Sequence, residues 1–79
     1  MNKNIKEIKI ATYTGEKTRI QLLKLTNTFI YLESDYIDTI IKYQIRINRK
    51  RVYTTGFEYD ARKYFATVVQ NDILQLKIY

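Results

Sequence analysis

Five basic residues fall within ten positions of this sequence: Lys42, Arg46, Arg49, Lys50 and Arg51. The chemistry they offer is recognition of negative charge. Guanidinium and ammonium groups hydrogen-bond to phosphate or carboxylate oxygens and neutralise them in the same contact. Residues 39–57 hold all five and no acidic residue, so this segment supplies +5 of the net +6. The other 60 residues carry nine basic and eight acidic groups. Gln44 and Asn48 add neutral polar groups to the same stretch, and Tyr53 adds a ring on which a base could stack.

Other chemistries have little to stand on. With no histidine and no cysteine, the chain has no imidazole base, no thiolate, no disulfide and no His or Cys metal ligand. Glu33, Asp35 and Asp38 lie close together, but they read as a polar turn with a helix cap rather than an acid–base or divalent-metal pair. The segment TGEKT (14–18) lacks the spacing of a phosphate-binding loop and reads as a hairpin turn. No catalytic residue, cofactor or metal is assigned, and a non-enzymatic protein is expected.

The elements that must position the basic cluster follow from hydrophobic periodicity. Residues 5–13 alternate as a strand, and Gly15 suits the following turn because glycine takes positive φ at low cost. Residues 18–25 form a second strand whose alternation slips at Leu22 and Leu23, which implies a bulge or burial on both faces. TNT (26–28) reads as a turn before a strand at 29–33, and 34–41 as a helical turn or loop. Tyr43, Ile45 and Ile47 then alternate with Lys42, Gln44, Arg46 and Asn48, the pattern of a half-buried strand. Its polar row repeats about every 6.5–7 Å, comparable with successive phosphates on one nucleic-acid strand. NRKR (48–51) is the turn, and 52–55 the returning strand.

Thr55 and Glu58 fit a capping box. Behind them Phe57, Ala61, Tyr64, Phe65 and Val68 share one face of a helix over about 56–70, with Glu58 and Arg62 spaced for an ion pair. QND (70–72) reads as its end, and 73–79 as a last strand with Leu74, Leu76 and Ile78 inward. The expected fold is α+β: a mostly antiparallel sheet, β-β-β-turn-β-β-α-β, on one amphipathic helix. A small five-stranded barrel capped by the helix is the alternative.

Seventy-nine residues suit one small domain with a modest core. The isoleucines near the start are split by charges, so no signal peptide or membrane span is expected, and the cytoplasm is the default location. Ile, Lys, Asn and Tyr account for 34 residues, all with AT-rich codons, which suits a phage or mobile element of a low-GC host. Tyr43 and Tyr64 fit core positions, whereas Tyr36, Tyr59 and Tyr79 fit the surface.

Nucleic-acid binding is the leading expectation, with RNA or single-stranded DNA favoured because no recognition helix stands free. The contacts would come from Lys42, Gln44, Arg46, Arg49, Lys50, Arg51 and Tyr53. The bland counterpart is a lysine- and arginine-guarded hairpin that only resists aggregation. One alternative is an inhibitor that binds a host nuclease or defence complex. Another is a structural homo-oligomer, including a homodimer paired through the C-terminal strand 73–79.

Overall fold

A computed structural model describes residues 2–31 and 36–76 of the chain. Four strands lie side by side in chain order: β1 (Asn2–Thr14), β2 (Arg19–Tyr31), β3 (Tyr36–Ile47) and β4 (Lys50–Thr55). All neighbours are antiparallel, and one helix, α1 (Glu58–Leu76), follows. The sheet is open, so β1 and β4 are its edges and the barrel does not form.

Opposed residues in an antiparallel pair share a face, and successive residues alternate. The register therefore sorts the sheet into two sides. On the helix side, Ile20, Leu22, Tyr43 and Ile45 pack with Ala61 of α1 as the core. Tyr13, Ile47, Tyr53, Tyr64, Phe65 and Val68 surround it. Ala61 has no bulk beyond Cβ, so α1 can lie close to the strands. Each fully buried Leu or Ile is worth about 1.5–3 kcal/mol.

Two tyrosine–aspartate hydrogen bonds fasten the helix to the sheet. Near its start, the Tyr53 hydroxyl donates to Asp60 Oδ2. Near its end, the Tyr13 hydroxyl donates to Asp72 Oδ2 at 2.9 Å. Asp60 sits in the first turn, where the helix dipole favours an anion, whereas Asp72 lies towards the end that disfavours one. The Tyr13 bond compensates Asp72. A Cβ on Gly15 would stand 2.5 Å from the same carboxylate oxygen. Gly15 is thus needed for this close approach and not for positive φ, which neither glycine adopts.

Several expected boundaries move. TNT is no turn: β2 runs through 26–28 unbroken, its threonines being good strand formers. Of the segment 34–41, residues 36–41 are strand rather than helix or loop, since Ile37, Ile40 and Ile41 are β-branched, and 34–35 lie outside the described residues. The β3–β4 turn narrows to Asn48 and Arg49, with Lys50 and Arg51 already in β4. QND does not stop α1, because Asp72 is held by Tyr13, and 73–76 are helical rather than part of the expected last strand. Ile73 and Leu74 are accordingly exposed, and 77–79 lie outside the described residues. A dimer through a C-terminal strand loses its strand over 73–76.

Other expectations hold. Leu22 and Leu23 are both buried, on opposite faces, and the bulge sits across from them between Lys9 and Ala11. The Glu58–Arg62 pair forms at 3.8 Å, with both side chains half exposed. The expected capping box is replaced: Thr55 Oγ1 accepts from the backbone N–H of Phe57 rather than Glu58, at 3.2 Å, and α1 begins at Glu58. Phe57 leaves the expected apolar face and is 75% exposed.

Candidate functional site

The sheet face turned away from α1 carries no covering element among the described residues. The register puts Lys9 of β1, Arg19 of β2, Lys42 and Arg46 of β3, and Arg51 of β4 on it. Thr12 and Thr54 lie among them with exposed hydroxyl-bearing side chains. One carboxylate, Glu7, stands in this part of the face. The α1 surface differs: Glu58, Asp60 and Asp72 outnumber Arg62 and Lys63. Lys6, Lys24 and Lys50 fall on the helix side of the strands, while the open face gathers five basic residues against Glu7 and, farther along β3, Asp38.

Leu23 is fully buried at the centre of this open face, which requires a roof. Polar side chains supply it. Arg46 pairs with Glu7 and its Nε donates to Gln44 Oε1 at 2.6 Å. Arg46 sits opposite Gln21 and Glu7 opposite Leu25, so their bridge passes diagonally over Leu23. The aliphatic stem of an arginine can cover apolar surface while its head stays wet. Gln21 and Gln44 are buried in the same layer.

The expected row of polar residues thus divides by role. Lys42 is exposed. Gln44 is buried and holds Arg46, so it positions a basic group rather than meeting a ligand. Asn48 belongs to the scaffold: its Oδ1 accepts from the Arg19 backbone N–H at 2.9 Å, and its own N–H donates to the Arg19 carbonyl at 2.8 Å. These bonds join the β3–β4 turn to the β1–β2 hairpin. A shallow depression of about 250 Å³ lies between the two turns, lined in part by Lys17, Arg19 and Asn48.

Tyr53 stands on the helix side. Its ring stacks on Tyr64 with centroids 4.2 Å apart and planes within 3°. The hydrogen bond to Asp60, helped by burial and the carboxylate's charge, raises its phenol above the ordinary tyrosine value. Tyr13 is raised in the same way by Asp72. Tyr53 is therefore a fastening for α1, and the structure does not bring it to the basic residues.

The turn itself is unusual. Asn48 and Arg49 have φ of 51° and 71°, both left-handed, as a two-residue hairpin turn of the I′ kind requires. Asparagine tolerates this conformation, and glycine is the usual second residue. Arginine there costs roughly 1 kcal/mol. Arg46 and Arg51 also lie directly opposite each other, an arrangement that is unfavourable for like charges. Among the described residues, Lys9, Arg19, Lys42, Arg49, Lys50 and Arg51 make no ion pair.

Sequence reasoning missed Lys9 and Arg19. Their signal was present as alternation within β1 and β2, but only the strand order brings them to the face that bears Lys42 and Arg51. A groove of about 480 Å³ along α1, lined by Phe65, Val69, Ile73 and Leu74 with Gln70, offers no cluster of titratable groups. No group of three or more possible metal ligands occurs among the described residues, of which Glu33 and Asp35 are not part. No helix among the described residues is long and apolar enough to cross a membrane. No protein-family model, curated protein or solved structure matches this chain.

Proposed function

We propose that this protein is a non-enzymatic nucleic-acid-binding module that acts in the cytoplasm. It grips the phosphate backbone of RNA or single-stranded DNA with its open sheet face and the 42–53 hairpin. The observation that carries this reading is the gathering of Lys9, Arg19, Lys42, Arg46 and Arg51 on one uncovered face. Arg49 extends the surface at the turn, while Lys50, opposite Ile47, stands at the same tip towards the helix side. Backbone phosphates would neutralise Arg51, which faces Arg46 across the strands while Arg46 is itself paired with Glu7. The left-handed Arg49 supports the same reading, because a charged residue occupies a place where folding alone favours glycine. With Tyr53 engaged by Tyr64, charge rather than base stacking carries the affinity, and little sequence preference is expected.

The test is a fluorescence-anisotropy titration against single-stranded RNA, single-stranded DNA and duplex DNA over a series of salt concentrations. Five phosphate contacts give a slope of log K against log salt of about −3.5 to −4.5. Replacing Arg49, Lys50 and Arg51 together by alanine should weaken binding. It should also flatten the slope by about 0.7–0.9 for each phosphate that is no longer neutralised. The helix variant Arg62→Ala with Lys63→Ala should bind like the unmodified protein. Absence of binding, or binding indifferent to salt, would overturn the proposal.

A further inference from the structure

The two long strands that border the sheet are protected very differently. β1 is an edge along its whole length, and it carries Lys6, Glu7 and Lys9, with a bulge between Lys9 and Ala11. Charges and bulges of this kind discourage pairing with a further strand. On the other side, β4 covers only part of β3. Its last pair is Thr55 with Tyr43, so residues 36–42 of β3 have no neighbour on that side among the described residues. This bare edge has no proline and no bulge against β2. Its isoleucines are exposed: Ile37 by 62%, Ile40 by 41% and Ile41 by 43%. A long apolar edge of this kind is a template for another strand.

We infer that the occupant is the same edge of a second copy, paired antiparallel through residues 38–42, the stretch that stays clear of β4 in both copies. The charge pattern selects it. Asp38 and Lys42 lie towards opposite ends of the bare segment and, being four apart, on the same face. Antiparallel self-pairing sets Asp38 of each copy alongside Lys42 of the other, twice across a two-fold axis. Parallel self-pairing would instead set like charge beside like. In the antiparallel register Ile40 meets its own counterpart at the axis, between the two charge pairs. On the other face, Ile41 of each copy lies opposite Thr39 of the other.

Pairing continues the sheet from β1, β2 and β3 of one copy into β3, β2 and β1 of the other. The two-fold axis stands perpendicular to the sheet, so the open faces of both copies look the same way. The dimer does not depend on the nucleic-acid reading, since its contacts are backbone hydrogen bonds, isoleucines and the Asp38–Lys42 pairs.

Sedimentation equilibrium of the free protein tests the inference without any nucleic acid present, so its result is separate from that of the titration. The expected mass is twice that of one chain at high concentration, falling towards one chain on dilution. Asp38→Lys or Lys42→Asp alone should shift the protein to the one-chain mass. The double variant, Asp38→Lys with Lys42→Asp, only reverses the pair and should restore the doubled mass. Ile40→Lys sets two like charges together at the axis and should also give the one-chain mass, with circular dichroism showing the fold retained. A one-chain mass at every concentration overturns the inference. So does a dimer that none of these variants weakens, or a double variant no better than the single ones.

Discussion

Half of this molecule is sealed on both faces, and half is sealed on neither. Around Ile20, Leu22 and Ile45 the sheet has α1 on one side and the Arg46–Glu7–Gln44 roof on the other. In the arm formed by residues 2–8, 25–31 and 36–42, Ile5, Ile8, Ile37, Ile40 and Ile41 are all substantially exposed. Asn27 of the arm has a buried Oδ1 without a hydrogen-bond partner. Dimensions explain the difference. A 19-residue helix is about 28 Å long, whereas the molecule extends 62 Å. One helix and a six-residue β4 cannot cover strands of 12 and 13 residues. The covered half can hold a fixed constellation of charges, while the arm leaves apolar strand exposed.

The largest effect should come from breaking the covered half. Ile45→Ala removes a fully buried side chain from the core and should cost about 2–5 kcal/mol. Ile37→Ala, on a residue 62% exposed, should cost less than about 0.5 kcal/mol in the monomer. Urea unfolding of both variants at low protein concentration measures the contrast. Equal destabilisation would mean that the arm shares in the core.

A smaller effect, of opposite sign, is expected at the tip of the covered half. Arg49→Gly places the residue best suited to φ of 71° where an arginine now stands. The hairpin should gain about 1 kcal/mol. The same change removes a charge from the proposed binding surface, so affinity for single-stranded nucleic acid should fall while the melting temperature rises. Stabilisation with undiminished affinity would separate Arg49 from the binding surface.

The same two halves differ in how far the sequence reveals them. In the covered half, period-two alternation of Tyr43, Ile45 and Ile47 and helical spacing of Ala61, Tyr64, Phe65 and Val68 both agree with the structure. There local pattern and tertiary packing point the same way. In the arm they do not. Ile37, Ile40 and Ile41 mimic a helical stripe, and Thr26, Asn27 and Thr28 mimic a turn, yet strand pairing with neighbours far along the chain decides both. The end of α1 was hidden for a similar reason. Gln70, Asn71 and Asp72 look like a stop until Tyr13, 59 residues away, supplies a donor for Asp72. Of the proposed binding surface, the cluster at 42–51 is visible as a run of charge. Lys9 and Arg19 are not, because only the strand order reveals that they share its face. Tyr53 was misplaced by its nearness in sequence to Arg51, since the bulge at Val52 and the alternation beyond it turn its ring towards Tyr64.

The smallest expected effect bears on what keeps α1 over the covered half. Tyr13 and Tyr53 each donate to a carboxylate, and that bond is the main reason both phenols are raised above the ordinary value near 10. Only the protonated phenol can donate. If it ionised in the folded state, a phenolate would face a carboxylate at hydrogen-bond distance. The unfolded chain has no such conflict and releases the proton first as pH rises. The stabilisation is therefore fully present below about pH 10, and is lost as pH climbs from there through the raised folded-state values. Thermal melts between neutral pH and the alkaline range should show a decline that begins near the ordinary tyrosine value. Tyr13→Phe and Tyr53→Phe should each start slightly less stable at neutral pH and each lose less on the way up. In the double variant the remaining decline should reflect only the other ionising groups. The exposed Tyr59 is the control, since Tyr59→Phe leaves both fastenings in place and should follow the unmodified protein. An alkaline decline of equal steepness in the double variant would mean that the two aspartates do not hold the helix through these phenols.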